Sequence, residues 1–210
     1  MFPFPFSFVG SGEVIPDLEL ISNDYAMEFN GTDEYVNAGS GVDFSASNFS
    51  ISGWYKVTKS SGNSSMFSMG PSKNIGIWHD GTSVHFNNAT NSSAWSGITA
   101  TMSKNVWHHV VCVYDGSNKY IYIDGAVANS GPKTGSQQDD GTDQWIGYLA
   151  GVSSFAYQGD IDEVAIWNKA LELADVQTIY NSTNNNPGKC ANLFTGGLGS
   201  GLIYWNRMGD

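Results

Sequence analysis

The feature that most constrains this chain is a repeated unit: a strand-length run of apolar or alternating residues, closed by a Gly-bearing pair that turns the backbone. Phe49-Ser-Ile-Ser-Gly-Trp-Tyr-Lys-Val57 is the clearest run. Side chains alternate across a strand, so Phe49, Ile51, Tyr55 and Val57 share one face while Trp54 and two serines take the other. Trp107-His-His-Val-Val-Cys-Val-Tyr114 is apolar on both faces and belongs inside a sheet. Asp115-Gly116 ends it, and residues 120–123 then meet Asp124-Gly125, a pair suited to a type I′ hairpin, before residues 126–128. Shorter runs at 66–69, 74–79 and 83–87 follow the same grammar, the last two flanking Asp80-Gly81. Residues 25–29, 144–148 and 159–167 complete the set, with 202–205 as one more strand near the end. Strands at this spacing pack as an all-β sandwich of two antiparallel sheets. One helix fits, near 171–181, where Leu173, Val176 and Tyr180 recur at i, i+3 and i+7.

Composition agrees. Seven Trp, ten Tyr and eleven Phe in 210 residues demand burial, which excludes a disordered acidic tail. Charged residues at 14% are too few for a coiled coil or helical bundle. Nine basic against twenty acidic residues give a net charge of −11, which repels phosphate backbones and anionic membranes, so no nucleic-acid partner is expected. No membrane insertion is expected either, since no run of eighteen apolar residues occurs. Acidic loops do suit a divalent cation. The opening Met1-Phe-Pro-Phe-Pro-Phe-Ser-Phe8 lacks a basic n-region and is not read as a secretory signal. It is read as an extended arm over 1–20 that docks its phenylalanines on the body or on a neighbour. The sandwich then spans 21–182, and 183–210 is a Gly/Asn-rich extension carrying the final strand. Two cysteines make no disulfide framework; Cys112 reads as a buried small hydrophobe and Cys190 as an incidental thiol in a polar tail.

Several motifs resemble one family. Phe29-Asn-Gly-Thr-Asp-Glu-Tyr-Val36, Phe49-Ser-Ile-Ser-Gly-Trp54, Trp107-His-His-Val-Val111 with Tyr114-Asp-Gly116, Tyr120-Ile-Tyr-Ile-Asp-Gly125 and Gly159-Asp-Ile-Asp-Glu-Val-Ala-Ile-Trp167 stand in the order of a laminin-G-like jelly roll of the concanavalin A-like superfamily. The resemblance covers about residues 22–182 and implies a two-sheet jelly roll. Two departures stand out. Glu172 occupies the helix N-cap where the family usually has Ser or Thr, and the family's first strand is missing before Tyr25. Leu202-Ile-Tyr-Trp-Asn-Arg-Met-Gly-Asp210 resembles that strand at the other end of the chain.

The fold serves lectins, adhesins and enzymes alike, so chemistry must be sought in particular residues. Glycosidases of this fold align three acids on one strand. The nearest run here is Asp160-Ile-Asp-Glu163, where alternation puts Asp160 and Asp162 on one face and Glu163 on the other, a poor acid/base geometry. Adjacent His108 and His109 face opposite ways, and no Gly-x-Ser-x-Gly elbow exists. A polysaccharide-degrading enzyme is therefore the weakest reading, and no catalytic residue is assigned. Relatives hold Ca²⁺ at the sandwich rim, which implies Asp33 and Glu34 in the first turn with Asp162 as ligands. Asp139, Asp140 and Asp143 around Gly141 read as a solvated acidic turn. Sugar binding needs exposed aromatic faces. Trp54, Trp107 and Trp167 read as strand cores; Trp78, Trp95, Trp145, Tyr148 and Tyr157 flank polar turns, and Trp95 is the leading stacking platform. The function expected is non-catalytic recognition or assembly on a virion surface, as a capsid-decoration or tail-fibre adhesin. Its expected partners are neighbouring virion or surface-protein subunits, reached through 1–20 and 189–210, and cell-surface glycans. The alternative is a secreted bacterial carbohydrate-binding lectin, extracellular in location.

Overall fold

The computed structural model describes residues 17–44, 48–70, 74–139, 141–149 and 151–210. The four phenylalanines of the expected arm, and Asp140, lie outside the described residues. The chain forms two antiparallel sheets face to face. One has six strands in the order β3 (Val36–Gly39), β12 (Gln144–Ile146), β5 (Ser64–Met69), β6 (Ile75–His79), β7 (Ser83–Thr90) and β8 (Ser93–Thr101). The other runs β11 (Ala126–Pro132), β10 (Asn118–Ile123), β9 (His108–Tyr114), β4 (Phe49–Val57) and β13 (Gln158–Trp167). Its last edge is shared by β2 (Met27–Asn30) and β15 (Leu202–Asn206). A small ribbon of β1 (Leu20–Ser22) and β14 (Lys189–Ala191) stands apart.

The expected alternation of β4 holds. Phe49, Ile51, Tyr55 and Val57 enter the core between the sheets, where they meet Phe67, Ile77 and Phe86 of the six-stranded sheet. A second apolar cluster forms on the outer face of the seven-stranded sheet. There Val111, Val113, Ala165 and Trp167 are covered by Val176 and Ile179 of α1 (Leu173–Asn184) and by Leu193 and Leu198 of the C-terminal segment. The Trp167 indole N–H is satisfied by the Leu198 carbonyl at 2.7 Å. The helix continues to Asn184, past the expected end near 181, and its start is capped by an acid pair, with Asp175 Oδ2 accepting the Glu172 backbone N–H at 3.3 Å.

Where the family places one first strand, two half-strands from opposite ends of this chain meet. β2 pairs with Gln158–Ile161 and β15 with Val164–Trp167. Between them the ladder slips: a bulge spans Asp162 to Ala165, and Glu163 takes φ +51°. The bulge inserts a residue and so resets the alternation. Glu163 therefore lies on the outer side with Asp162, not on the opposite face that strict alternation assigns, and its carboxylate reaches Arg207, Trp205 and Cys190 there. Cys190 is accordingly buried rather than an incidental thiol in a polar tail, and burial pushes it up to about 12. Within 189–210, expected to engage a neighbouring subunit, Lys189–Ala191 pairs with the chain's own β1 and Leu202–Asn206 with its own β13.

Candidate functional site

Among the described residues the outer face of the six-stranded sheet carries no α-helix; a single 3-10 turn, Ser153–Phe155, lies against it beside Trp78. Register determines what the face displays. Trp145 stands opposite Ser68, Ser65 opposite Trp78, Trp78 opposite His85, and His85 opposite Thr99. Three rings on this face are near-parallel: Trp78 with His85 (centroids 5.0 Å apart, 5°) and Trp78 with Trp95 (6.3 Å, 7°). Trp95 can lie there because Gly76 is beneath it; a Cβ at that position would come within 2.9 Å of Trp95 Cη2 and 3.2 Å of Trp78 Cζ3. Phe155 closes the group edge-on to Trp78 at 6.1 Å. Trp78, Trp95 and Phe155, with Ser65, Leu149 and Val152, line a pocket of about 220 Å³, and none of its lining residues is charged.

His85 is fixed from behind. Its Nε2 lies 2.7 Å from Asp80 Oδ2, while Asp80 Oδ1 accepts the backbone N–H groups of Thr82 and Ser83. Burial opposes ionisation of Asp80, but these hydrogen bonds outweigh it and hold the carboxyl well below the usual carboxylate range. One strand beyond β5, a second aromatic group gathers Tyr35, Trp145 and Tyr148, with centroids 5.0 Å (Tyr35–Trp145), 5.2 Å (Tyr35–Tyr148) and 6.1 Å (Trp145–Tyr148) apart. Ser65 and Ser68 both donate to the Tyr148 carbonyl, at 2.9 and 2.8 Å, which pins the loop between the two groups.

All four aromatics singled out in the sequence, Trp78, Trp95, Trp145 and Tyr148, thus lie on or beside one face, in two groups. Trp95 is on a strand rather than in a loop, because β8 continues through the polar run that reads as a turn. Tyr35, His85 and Phe155 join them unforeseen; only His85 had a signal, the alternation of β7. Tyr157 is instead fully buried in the core. Trp167 is buried as expected, but Trp54 and Trp107 are not core residues: both line a cleft on the opposite sheet, and Trp107 is 39% exposed.

The acidic residues are not brought together as a metal site. Asp33 and Glu34 close their own turn, Glu34 Oε2 accepting the Asn30 backbone N–H at 2.7 Å and Asp33 Oδ1 the Asn30 amide at 2.9 Å. Asp162 lies four residues along β13 from the pairing partner of Asn30, roughly 13 Å away at 3.3 Å per residue. Asp139 accepts the backbone N–H of Phe44, and Asp143 the amide of Asn37. Among the described residues no group of three or more His, Cys, Asp or Glu could hold a metal ion.

One chain of hydrogen bonds has the connectivity of a nucleophile, base and acid: Ser103 Oγ to His108 Nε2 at 2.7 Å and His108 Nδ1 to Asp124 Oδ2 at 2.7 Å. Asp124 Oδ1 also accepts the His109 backbone N–H at 2.9 Å, so the chain ties the start of β9 to the β10–β11 turn. His109 points the other way, buried, with Nε2 2.9 Å from Ser52 Oγ.

Two antiparallel sheets packed face to face, with one short helix outside them, form a jelly-roll sandwich. The chain belongs to the concanavalin A-like lectin/glucanase superfamily, whose laminin-G-like family model matches residues 30–177. A Bacteroides ovatus protein provisionally described as carbohydrate-binding superposes with TM-score 0.69 at 14% identity, over 90% of this chain and 53% of that one. The chain therefore spans about half the length of that relative. The Ruminococcus gnavus sialidase module CBM40, solved with sialyllactose, superposes with TM-score 0.63 at 12% identity over 75% of this chain and 97% of its own. Domain 4 of the Geobacillus stearothermophilus arabinanase AbnA, solved with arabinotriose, gives TM-score 0.57 at 19% identity over 76% and 79%. At such identities the likeness is one of fold. No curated protein matches the sequence.

Proposed function

We propose that this chain is a non-catalytic glycan-binding module whose ligand stacks on the aromatic outer face of the six-stranded sheet. The observation that carries the reading is the near-parallel Trp78 and Trp95 pair over Gly76, beside a pocket floored by Ser65. Pyranose rings present C–H faces that pack on indoles, and hydroxyls that serine and backbone groups can meet. The uncharged lining favours a neutral saccharide, since a uronate or sialate would need a cation beside it. Solved relatives of the same fold that hold oligosaccharides support the reading. The setting we propose is an exposed one where glycans are displayed, a virion surface or the outside of a cell.

The test is a glycan array followed by calorimetry on the best neutral binder. Trp95→Ala and Trp78→Ala are each expected to weaken binding about tenfold or more, near 1.4 kcal/mol, with the circular dichroism spectrum unchanged. The polysaccharide should be recovered uncut. Absence of any glycan ligand, or affinity indifferent to both tryptophans, would overturn the proposal.

A further inference from the structure

A larger cleft, about 560 Å³, opens on the outer side of the other sheet. Its size falls within the range of small-molecule sites. Trp54, Trp107 and Tyr180 supply aromatic walls, Asp24, Asp124 and Asp162 line it with carboxylates, and Lys189 is its one cationic lining residue. Trp54 is held in place by near-parallel packing on Tyr180 (5.8 Å, 20°) and by His109 (5.1 Å). Trp107 has no such ring partner among the described residues and is 39% exposed.

The carboxylates of this cleft differ in what they already accept. Asp162 accepts the Asn23 amide and the Glu163 backbone N–H, and Asp124 accepts from His108 and His109. The Asp24 carboxylate, by contrast, accepts nothing among the described residues, and Asn23 Oδ1 is buried with no donor. Lys189 directs its Nζ to Ser22 Oγ at 3.4 Å. The cleft therefore sets an unengaged carboxylate, Asp24, beside indole faces, with three carboxylates against one ammonium in its lining. A ligand that carries positive charge on a carbon body complements this lining. Ammonium groups engage both features at once, through charge-assisted hydrogen bonds to carboxylates and attraction to indole rings. The net charge of −11 draws such a ligand in.

We propose that this cleft binds an organic ammonium ion of amino-sugar size, with its nitrogen toward Asp24 and Asn23 and its carbon body against Trp54 and Trp107. This site shares no residue with the Trp78–Trp95 pocket, so the two readings stand or fall separately.

The experiment is calorimetry and NMR titration of the full chain with D-glucosamine, using N-acetyl-D-glucosamine as the neutral control. Saturable glucosamine binding is expected, with the acetylated sugar about tenfold or more weaker, because acetylation removes the charge. Trp107→Ala is expected to weaken glucosamine about tenfold and Asp24→Asn several-fold, while Trp95→Ala leaves it unchanged. Both substituted side chains are exposed, so the melting midpoint serves as the check that each variant folds. No saturable binding, equal affinity for the two sugars, or sensitivity to Trp95→Ala without sensitivity to Trp107→Ala would each overturn the proposal.

Discussion

Glu163 accepts the indole N–H of Trp205 at 2.6 Å, and through this bond the last strand of the chain is locked to a bulge in the middle of β13. The same carboxylate takes the Arg207 Nε at 3.0 Å through its other oxygen, and Glu163 is 7% exposed. Removing the carboxylate, at a cost of about 2 kcal/mol, leaves the Trp205 N–H without its acceptor, while Arg207, 25% exposed, keeps Asp210. Glu163→Ala is therefore expected to lower the free energy of unfolding by about that much, read by urea denaturation. Hydrogen exchange should quicken first at Leu202–Asn206, because β15 occupies only half of an edge and is held there by this side chain. Faster exchange spread evenly over both sheets would contradict the latch.

Asp162 and its neighbour Asn23 set a pH dependence of definite sign. Burial pushes the Asp162 carboxyl up to about 7 despite the Asn23 amide, and the Glu163 charge adds to the rise. A carboxyl raised in the fold is charged in the unfolded chain at pH values where it is still protonated in the native one. Its contribution is thus fully present below about pH 4 and is lost as pH rises toward 7, by up to about 4 kcal/mol. His109 works in the opposite direction. Burial lowers its imidazole to about 3, so the native state keeps it neutral and loses stability as pH falls below about 6.5. The two overlap, and the measurement that separates them is the difference in urea midpoint between the parent and Asp162→Asn from pH 4 to 8. The variant is expected to gain relative to the parent across that span and to run parallel to it above pH 7.5. A difference that stays flat throughout would refute the assignment.

Gly76→Ala tests the geometry of the aromatic pocket without deleting an aromatic ring. The added methyl would sit 2.9 Å from Trp95 Cη2, closer than carbon atoms approach, so the indole must tilt away. Affinity for the neutral glycan is expected to fall about fivefold or more, with a shift in tryptophan fluorescence, while stability changes by about 1 kcal/mol or less. Binding equal to that of the parent would mean that the ligand does not use the pair.

What could be read from the chain and what could not divides along physical lines. Strands beside Asp80-Gly81 and Asp124-Gly125 were legible because a turn pair acts locally. β8 was not, since Ser93–Thr101 keeps one face in water and buries only Ala100 fully, leaving a polar run with little apolar signal. The side taken by Glu163 was hidden because a bulge shifts parity, and nothing in Asp160-Ile-Asp-Glu163 announces one. Trp54 and Trp107 read as core for a different reason. Alternation tells which way a side chain points but not what covers it, and near these two the covering helix leaves a cleft. Trp78 and Trp95 were found by their Gly/Ser/Asn surroundings, yet their meeting over Gly76 depends on the pairing of distant strands.

Lys119 offers a last test, at the alkaline end. It is 1% exposed, donates to the Ser96 carbonyl at 2.7 Å and lies 5.7 Å from the Phe86 ring centre, bridging β10 to β8. Burial, aided by the nearby Lys133 charge, lowers its ammonium to about 8. The unfolded chain holds that proton up to about pH 10.5, so between pH 8 and 10.5 the unfolded state binds more protons and stability rises with pH. Lys119→Met keeps the aliphatic stem and removes the proton. The rise, up to about 3 kcal/mol in the parent, should vanish in the variant when urea midpoints are compared from pH 7.5 to 10. At neutral pH the two proteins should differ less, because freedom from a buried charge is offset by an orphaned Ser96 carbonyl worth about 1–3 kcal/mol. A parent whose stability falls steadily over this range while the variant falls in parallel would show that Lys119 keeps an ordinary affinity for its proton.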